Sequence, residues 1–157
     1  MKPATVHQIK GELQLLDSKR LTEICLRLAK YKKENKELLT YMLFEAGDEQ
    51  EYIKGLKEEI TIQFSEMNQR NIYYAKKSIR KILRYTDRFL KYSGNKETEV
   101  EMRIFFCEQL RDLRFSLRRS TVLTNLYNRQ VLKIRQALSK LHEDIQFDYQ
   151  DQVPSEI

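Results

Sequence analysis

Glycine and proline are scarce in this chain of 157 residues, and tryptophan is absent. Four glycines and two prolines cannot supply the many tight turns that a sandwich, a barrel or a doubly wound sheet needs. Pro3 and Pro154 lie near the two ends, so no proline interrupts a helix anywhere between them. The scarcity of turn residues therefore predicts an all-α protein.

Cysteine and histidine are also too rare to suggest chemistry. Cys25 and Cys107 do not make a disulfide framework, and each falls on the apolar face of a predicted helix, where we expect core packing. His7 and His142 stand alone, outside any ExxH or HxxH pair. Gly-rich phosphate loops, GxSxG and HExxH are missing. We therefore expect no catalytic residue, no cofactor and no bound metal.

Long apolar runs are absent, and no stretch approaches the 18 or so apolar residues of a membrane span. The first residues lack the apolar core and cleavage site of a signal peptide. We therefore expect no membrane partner and a reducing, cytoplasmic location. The net charge of +6 is moderate and by itself indicates only a mild attraction to polyanions.

The apolar residues that are present recur at spacings of three and four over most of the chain, which is typical of amphipathic helices. The spacing predicts helices over about 5–16, 18–31, 36–46, 48–67, 71–92, 97–117 and 120–145. Because the joints are short, consecutive helices should be antiparallel. We expect six or seven antiparallel helices, arranged either as stacked helical hairpins (a short α-solenoid) or as a closed bundle.

The chain is predicted to form one helical domain over 1–146, followed by a frayed acidic tail over 147–157. A Lys-Tyr pair followed by Asn-Lys-Glu occurs twice, within 30–37 and 91–97. A duplicated hairpin would produce this match, and so would chance among common polar residues. Both explanations stay open.

Basic residues are concentrated in three segments, 19–36, 70–91 and 111–140. The last two segments each contain eight basic residues and a single acidic one. Within the helix predicted over 71–92, seven basic side chains fall inside about 140° of the helical wheel, opposite an apolar arc. This basic strip consists of Lys76, Lys77, Arg80, Lys81, Arg84, Arg88 and Lys91. Tyr74, Tyr85 and Tyr92 lie on the seam between the two faces.

The basic strip has two interpretations. The strip and its tyrosines suit a polyanion or an acidic partner, but an ordinary solvated helix face would show the same pattern. An arginine cluster follows at Arg111, Arg114, Arg118 and Arg119. These arginines either bind a partner or form ion pairs with the acidic first turns of neighbouring helices.

These observations favour a non-catalytic helical scaffold or adaptor. It would bind another protein, one with an acidic patch, through its charged helical faces. The alternative is a nucleic-acid-binding module that uses the basic strip and the arginine cluster.

Overall fold

The computed structural model describes all 157 residues, with 76% helix and no strand, so the all-α prediction is confirmed. It contains eight α-helices rather than six or seven. They are α1 (Val6–Gln14), α2 (Ser18–Tyr31), α3 (Lys33–Thr40), α4 (Glu49–Ser65), α5 (Ile72–Ser93), α6 (Lys96–Arg111), α7 (Thr121–Leu138) and α8 (Glu143–Tyr149). A π-helical turn (Tyr41–Glu45) follows α3, and a 3₁₀ turn (Leu117–Arg119) precedes α7.

The extra helix arises because the predicted last helix, 120–145, is split. Helix α7 ends at Leu138, and His142 starts α8 by accepting a hydrogen bond from the Asp144 backbone N–H, 3.3 Å from its Nδ1. Helix α6 likewise ends before 117, and Ser116 Oγ accepts from the Arg118 backbone N–H at 3.3 Å to start the 3₁₀ turn. In both places the apolar residues keep their helical spacing in the sequence, but a nearby polar side chain caps the start of a new helical turn.

The junction between α5 and α6 is tight and well capped. Gly94 adopts the left-handed conformation (φ 65°), and its N–H donates to the Leu90 carbonyl at 2.9 Å. Asn95 then caps α6, accepting from the backbone N–H groups of Glu97 (2.9 Å) and Thr98 (3.3 Å). Two residues thus reverse the chain, so α5 and α6 are antiparallel neighbours. Asn35, the other asparagine of the repeated pattern, lies inside α3 and donates to the Leu28 carbonyl, so the two asparagines play different roles.

By its contacts the chain divides into two compact units, Met1–Phe44 and Glu45–Ile157. The single domain over 1–146 stays a prediction. In the first unit, α2 packs against α3 and none of the side chains is buried. The prediction that Cys25 packs in a core is therefore wrong, since this thiol is exposed. A unit of this size has too few side chains to cover the apolar face of α2.

The second unit is built around α6, which packs against α4, α5 and α7. Side chains on more than one face of α6 are buried. They include Val100, Met102, Phe106, Cys107 and Leu110. The rings of Phe64 in α4 and Phe106 meet edge to face, with centroids 5.6 Å apart. Burial of such side chains stabilises the fold by roughly 1.5–3 kcal/mol each. The core prediction for Cys107 is confirmed.

A charged residue also lies in this core. Arg103 of α6 is only 5% exposed. Its guanidinium donates to Glu99 Oε1 (3.0 Å), Asp87 Oδ1 (2.8 Å) and Gln130 Oε1 (2.7 Å). Since Asp87 belongs to α5 and Gln130 to α7, one side chain connects three helices.

The end of the described chain contacts α7. The amide of Asn128 forms two hydrogen bonds with the backbone of Ile157, both 2.9 Å long, and Pro154 is buried. The fraying expected for 147–157 stays a prediction. None of the eight helices combines the length and the apolar character that crossing a membrane requires.

Candidate interaction surface

The two faces of α5 lie where the helical wheel puts them. The buried side chains of this helix are Ala75, Ile79, Ile82, Thr86 and Leu90, all on the predicted apolar arc. On the opposite side, Lys77, Arg80, Lys81, Arg84 and Lys91 are exposed, and Lys76 is half-buried. None of these six side chains forms an ion pair within the chain.

Arg88 departs from the rest of the basic strip. Its guanidinium carbon lies 5.8 Å from the ring centroid of Tyr85 and 5.4 Å from that of Phe89, and its Nε is buried. This side chain packs on aromatic rings instead of standing in solvent with Arg84. The helical wheel gives the direction in which the Arg88 side chain leaves the helix. It does not show that the rings of Tyr85 and Phe89 hold this side chain against the helix.

The seam tyrosines split into two groups. Tyr85 and Tyr92 flank Phe89, with ring centroids 4.5 Å and 5.3 Å from it, and both are half-buried. Tyr74 is 53% exposed and meets the ring of Tyr73, which is 64% exposed, edge to face at 5.4 Å. Only the pair at the start of α5 therefore offers free ring faces for stacking.

The single acidic residue of the segment, Asp87, does not weaken the strip. Its carboxylate accepts from Arg103 at 2.8 Å and lies 3.9 Å from Lys133 Nζ. Because two cations already neutralise Asp87, the exposed face of α5 presents positive charge alone.

A groove runs between α5 and α7. It is lined by Arg80, Leu83, Arg84 and Asp87 of α5 and by Val122, Asn125, Leu126, Arg129 and Gln130 of α7. Its volume of about 410 Å³ has room for several side chains of a partner. We call it the α5–α7 groove. Arg129 is exposed and without an ion pair. Three guanidinium groups without ion pairs therefore share the groove with three apolar side chains, Leu83, Val122 and Leu126, which we call its apolar floor.

Arg129 is not among the site residues predicted from the sequence. It belongs to the basic segment 111–140, but its position in α7 shows no cluster with other arginines. The signal was its helical spacing from Val122 and Leu126, which puts these residues on one face of α7. That this face meets α5 depends on packing between distant parts of the chain.

All four members of the arginine cluster are exposed: Arg111, Arg114, Arg118 and Arg119. They form no ion pair with the acidic first turns of α4 and α6. Glu101 pairs with Lys57 at 2.6 Å, and Glu99 with Lys96 at 2.7 Å. Lysines, together with Arg103 at Glu99, thus satisfy these carboxylates. The cluster is spread over the end of α6, a turn and the 3₁₀ turn, so it is not one helix face.

A second groove lies between α4 and α6, lined in part by Ile53, Lys57, Ile62, Glu101 and Phe105. It is larger, about 700 Å³, but its charges cancel. Lys57 forms a short ion pair with Glu101 and sits 5.6 Å from the centroid of the Phe105 ring. The lining also includes Lys54 and Glu58, so its formal charges sum to zero, unlike the basic lining of the α5–α7 groove.

The remaining perturbed groups belong to the core or to a helix contact. Burial raises the pKa of the Cys107 thiol to about 12, which keeps the thiol protonated and unreactive at neutral pH. Burial, followed by the nearby charges of Glu101 and Glu97, raises the pKa of Tyr149 to about 12. Neither group lines the α5–α7 groove.

Comparison with known proteins finds no similarity that would suggest a function: no family model, no curated protein and no solved structure matches this chain.

Proposed function

We propose that this protein is a non-catalytic helical scaffold that binds an acidic partner protein through the α5–α7 groove. The observation that carries the proposal is that the guanidinium groups of Arg80, Arg84 and Arg129, all exposed and without ion pairs, line one groove together with apolar side chains. The cytoplasmic location expected from the sequence is part of the same proposal.

The composition of the groove indicates the chemistry of the partner. Leu83, Leu126 and Val122, which is 38% exposed, offer an apolar floor that a partner could cover. Arginines on the rim present planar donors that match carboxylates in pairs. A floor and rim of this kind suit an amphipathic helix with apolar residues on one face and Glu or Asp beside them.

Two features make a protein partner the better fit to this groove. Nucleic acid binding relies on phosphate contacts, which need no apolar floor. Of the three seam tyrosines that could stack on bases, Tyr85 and Tyr92 pack against Phe89. The groove therefore offers an acidic helix more than it offers a phosphate backbone.

The nucleic-acid candidate is supported by a different part of the surface. Tyr73 and Tyr74 expose their rings at the start of α5, with one residue between them and the lysine pair Lys76 and Lys77. Exposed rings beside lysines are suited to single-stranded nucleic acid. This second candidate predicts a site at the first turns of α5 and not in the groove.

A designed probe tests the main proposal. The probe is a fluorescein-labelled amphipathic peptide with Leu at helical core spacing and Glu on both flanks, and its scrambled version has the same composition. We expect saturable binding of the helical probe to the native chain, and binding of the scramble weaker by about tenfold or more. Arg80→Glu with Arg84→Glu should abolish binding, since repulsion replaces two favourable charge contacts.

The control variant carries the same change in net charge at other exposed sites, Lys10→Glu with Lys140→Glu. It should bind the probe like the native chain. If both variants lose binding equally, the attraction is only net charge and the groove is not the site.

A single-stranded oligonucleotide separates the two candidates. The second candidate predicts retention at about 0.15 M salt with a log–log salt slope of several units, and loss on Tyr74→Ala. The main proposal predicts weak oligonucleotide binding that Tyr74→Ala leaves unchanged.

A further inference from the structure

The tail segment, residues 151–157, contacts α7 through its last two residues, Glu156 and Ile157. The Asn128 side-chain amide donates to the Ile157 carbonyl and accepts from the Ile157 N–H, each at 2.9 Å. One amide thus satisfies both polar backbone groups of a single residue. Such a contact reads the backbone and does not depend on the side chain of the residue it holds.

Two further contacts add selectivity. Pro154 is buried, whereas its neighbour Ser155 is exposed, so a proline three residues before the amide contact is covered. Glu156 Oε1 accepts from Arg135 Nη1 at 2.9 Å. The contacts therefore define a pattern, which is proline, any residue, an acidic residue, and then a residue held by its backbone.

The tail segment is held by weak interactions, which a competing peptide segment could replace. The ion pair between Arg135 and Glu156 is about half exposed on both sides, and such pairs hold weakly in water. Outside Pro154, the segment has no fully buried residue. A segment held in this way opens without unfolding the helices beneath it.

We propose that the outer face of α7 around Asn128 and Arg135 is a binding site for an extended Pro-x-acidic peptide segment of a partner protein, and that the tail segment occupies this site in cis. The site is separate from the α5–α7 groove and does not depend on the function proposed for that groove. Because the tail segment is tethered, its effective concentration is high. A partner segment then binds only when it outcompetes the tail or when the tail is displaced.

The test uses the full chain and a labelled peptide with the sequence of residues 151–157. Pro154→Gly with Glu156→Ala removes the covered proline and the ion pair of the tail and leaves α7 unchanged, which gives a chain whose tail is held more weakly, called here the released chain. We expect the peptide to bind the released chain at least about tenfold more tightly than the native chain, as measured by fluorescence anisotropy. Adding Asn128→Ala should remove this binding.

The matched control is Asn125→Ala, which alters another asparagine of α7, on the side that lines the α5–α7 groove. It should leave peptide binding to the released chain unchanged. Exchanging the charges of Arg135 and of the acidic peptide residue adds a second test, because a purely structural role of Arg135 would not produce the same result. Arg135→Glu in the released chain should weaken binding of the native peptide and restore it for a peptide with Lys in place of Glu156.

Hydrogen exchange of the native chain tests the contact in cis. The amide of Ile157, which donates to Asn128 Oδ1, should exchange more slowly in the native chain than in Asn128→Ala. The proposal is overturned if exchange is the same in both chains. It is also overturned if the peptide fails to saturate a released chain with native circular dichroism, or binds it equally well with Asn128→Ala.

Discussion

Replacing the buried arginine of α6 should destabilise the protein strongly. Arg103→Met keeps most of the volume of the side chain but removes all three hydrogen bonds of its guanidinium, and it leaves the carboxylates of Asp87 and Glu99 without their buried partner. Breaking a fully buried pair costs about 3–5 kcal/mol. The two carboxylate side chains remain 31% and 20% exposed, so water and nearby lysines compensate part of the loss. We expect a loss of about 2–4 kcal/mol in the free energy of unfolding.

The assay is urea denaturation followed by far-UV circular dichroism, which reports the helix content. Arg111→Met is the matched control, because it removes an exposed arginine from the same helix. It should change the free energy of unfolding by no more than about 0.5 kcal/mol. A loss below about 1 kcal/mol for Arg103→Met would refute the structural role assigned to this network.

The same network predicts a pH dependence. Burial alone would raise the pKa of Glu99, but hydrogen bonds from Lys96 and Arg103 hold it below its ordinary value of 4.5. In acid the unfolded chain therefore binds a proton at Glu99 before the folded chain does. The ionised Glu99 carboxylate therefore stabilises the folded chain fully above its ordinary pKa, and this stabilisation is lost as the pH falls through the lowered pKa of the folded chain. The difference in the free energy of unfolding between the native chain and Arg103→Met should therefore become smaller below about pH 4. A difference that does not change with pH would contradict the role of Arg103 in lowering the pKa of Glu99.

Three further predictions concern the thiols, the core and the α5–α6 junction. A thiol reagent should label the exposed Cys25 of the native chain rapidly and Cys107 only in denaturant, because burial raises the pKa of Cys107 to about 12. Cys25→Ser should abolish the rapid phase. Phe106→Ala, at a fully buried ring, should cost about 3–5 kcal/mol in urea denaturation. Gly94→Ala should cost about 1 kcal/mol in the same assay, because its φ of 65° strains any residue with a Cβ, and no loss at this position would contradict the left-handed cap.

The two faces of α5 could be predicted from the sequence because they depend only on the helical period. Ile79 and Ile82 are buried and Arg80 and Lys81 are exposed, as their angles on the wheel require. No contact from another part of the chain is needed for that prediction. It holds because apolar and basic residues are so cleanly separated along this helix.

The features that the sequence analysis misses all depend on contacts between distant segments. Arg103 interrupts the apolar face of α6, and its partners Asp87 and Gln130 come from two other helices. Cys25 has the spacing of a core residue but lies in a unit without a buried side chain. Helical periodicity says which face is apolar, and only the packing of neighbours decides whether that face is covered.

The most direct test of the proposed function is a charge exchange across the α5–α7 groove. Two amphipathic helical peptides, one with Glu flanks and one with Lys flanks, are titrated into the native chain and into Arg80→Glu/Arg84→Glu/Arg129→Glu. If the groove binds an acidic helix, the native chain prefers the Glu peptide and the variant prefers the Lys peptide, each by about tenfold or more. If the variant binds neither peptide, or if both chains keep the same preference, the groove is not the binding site.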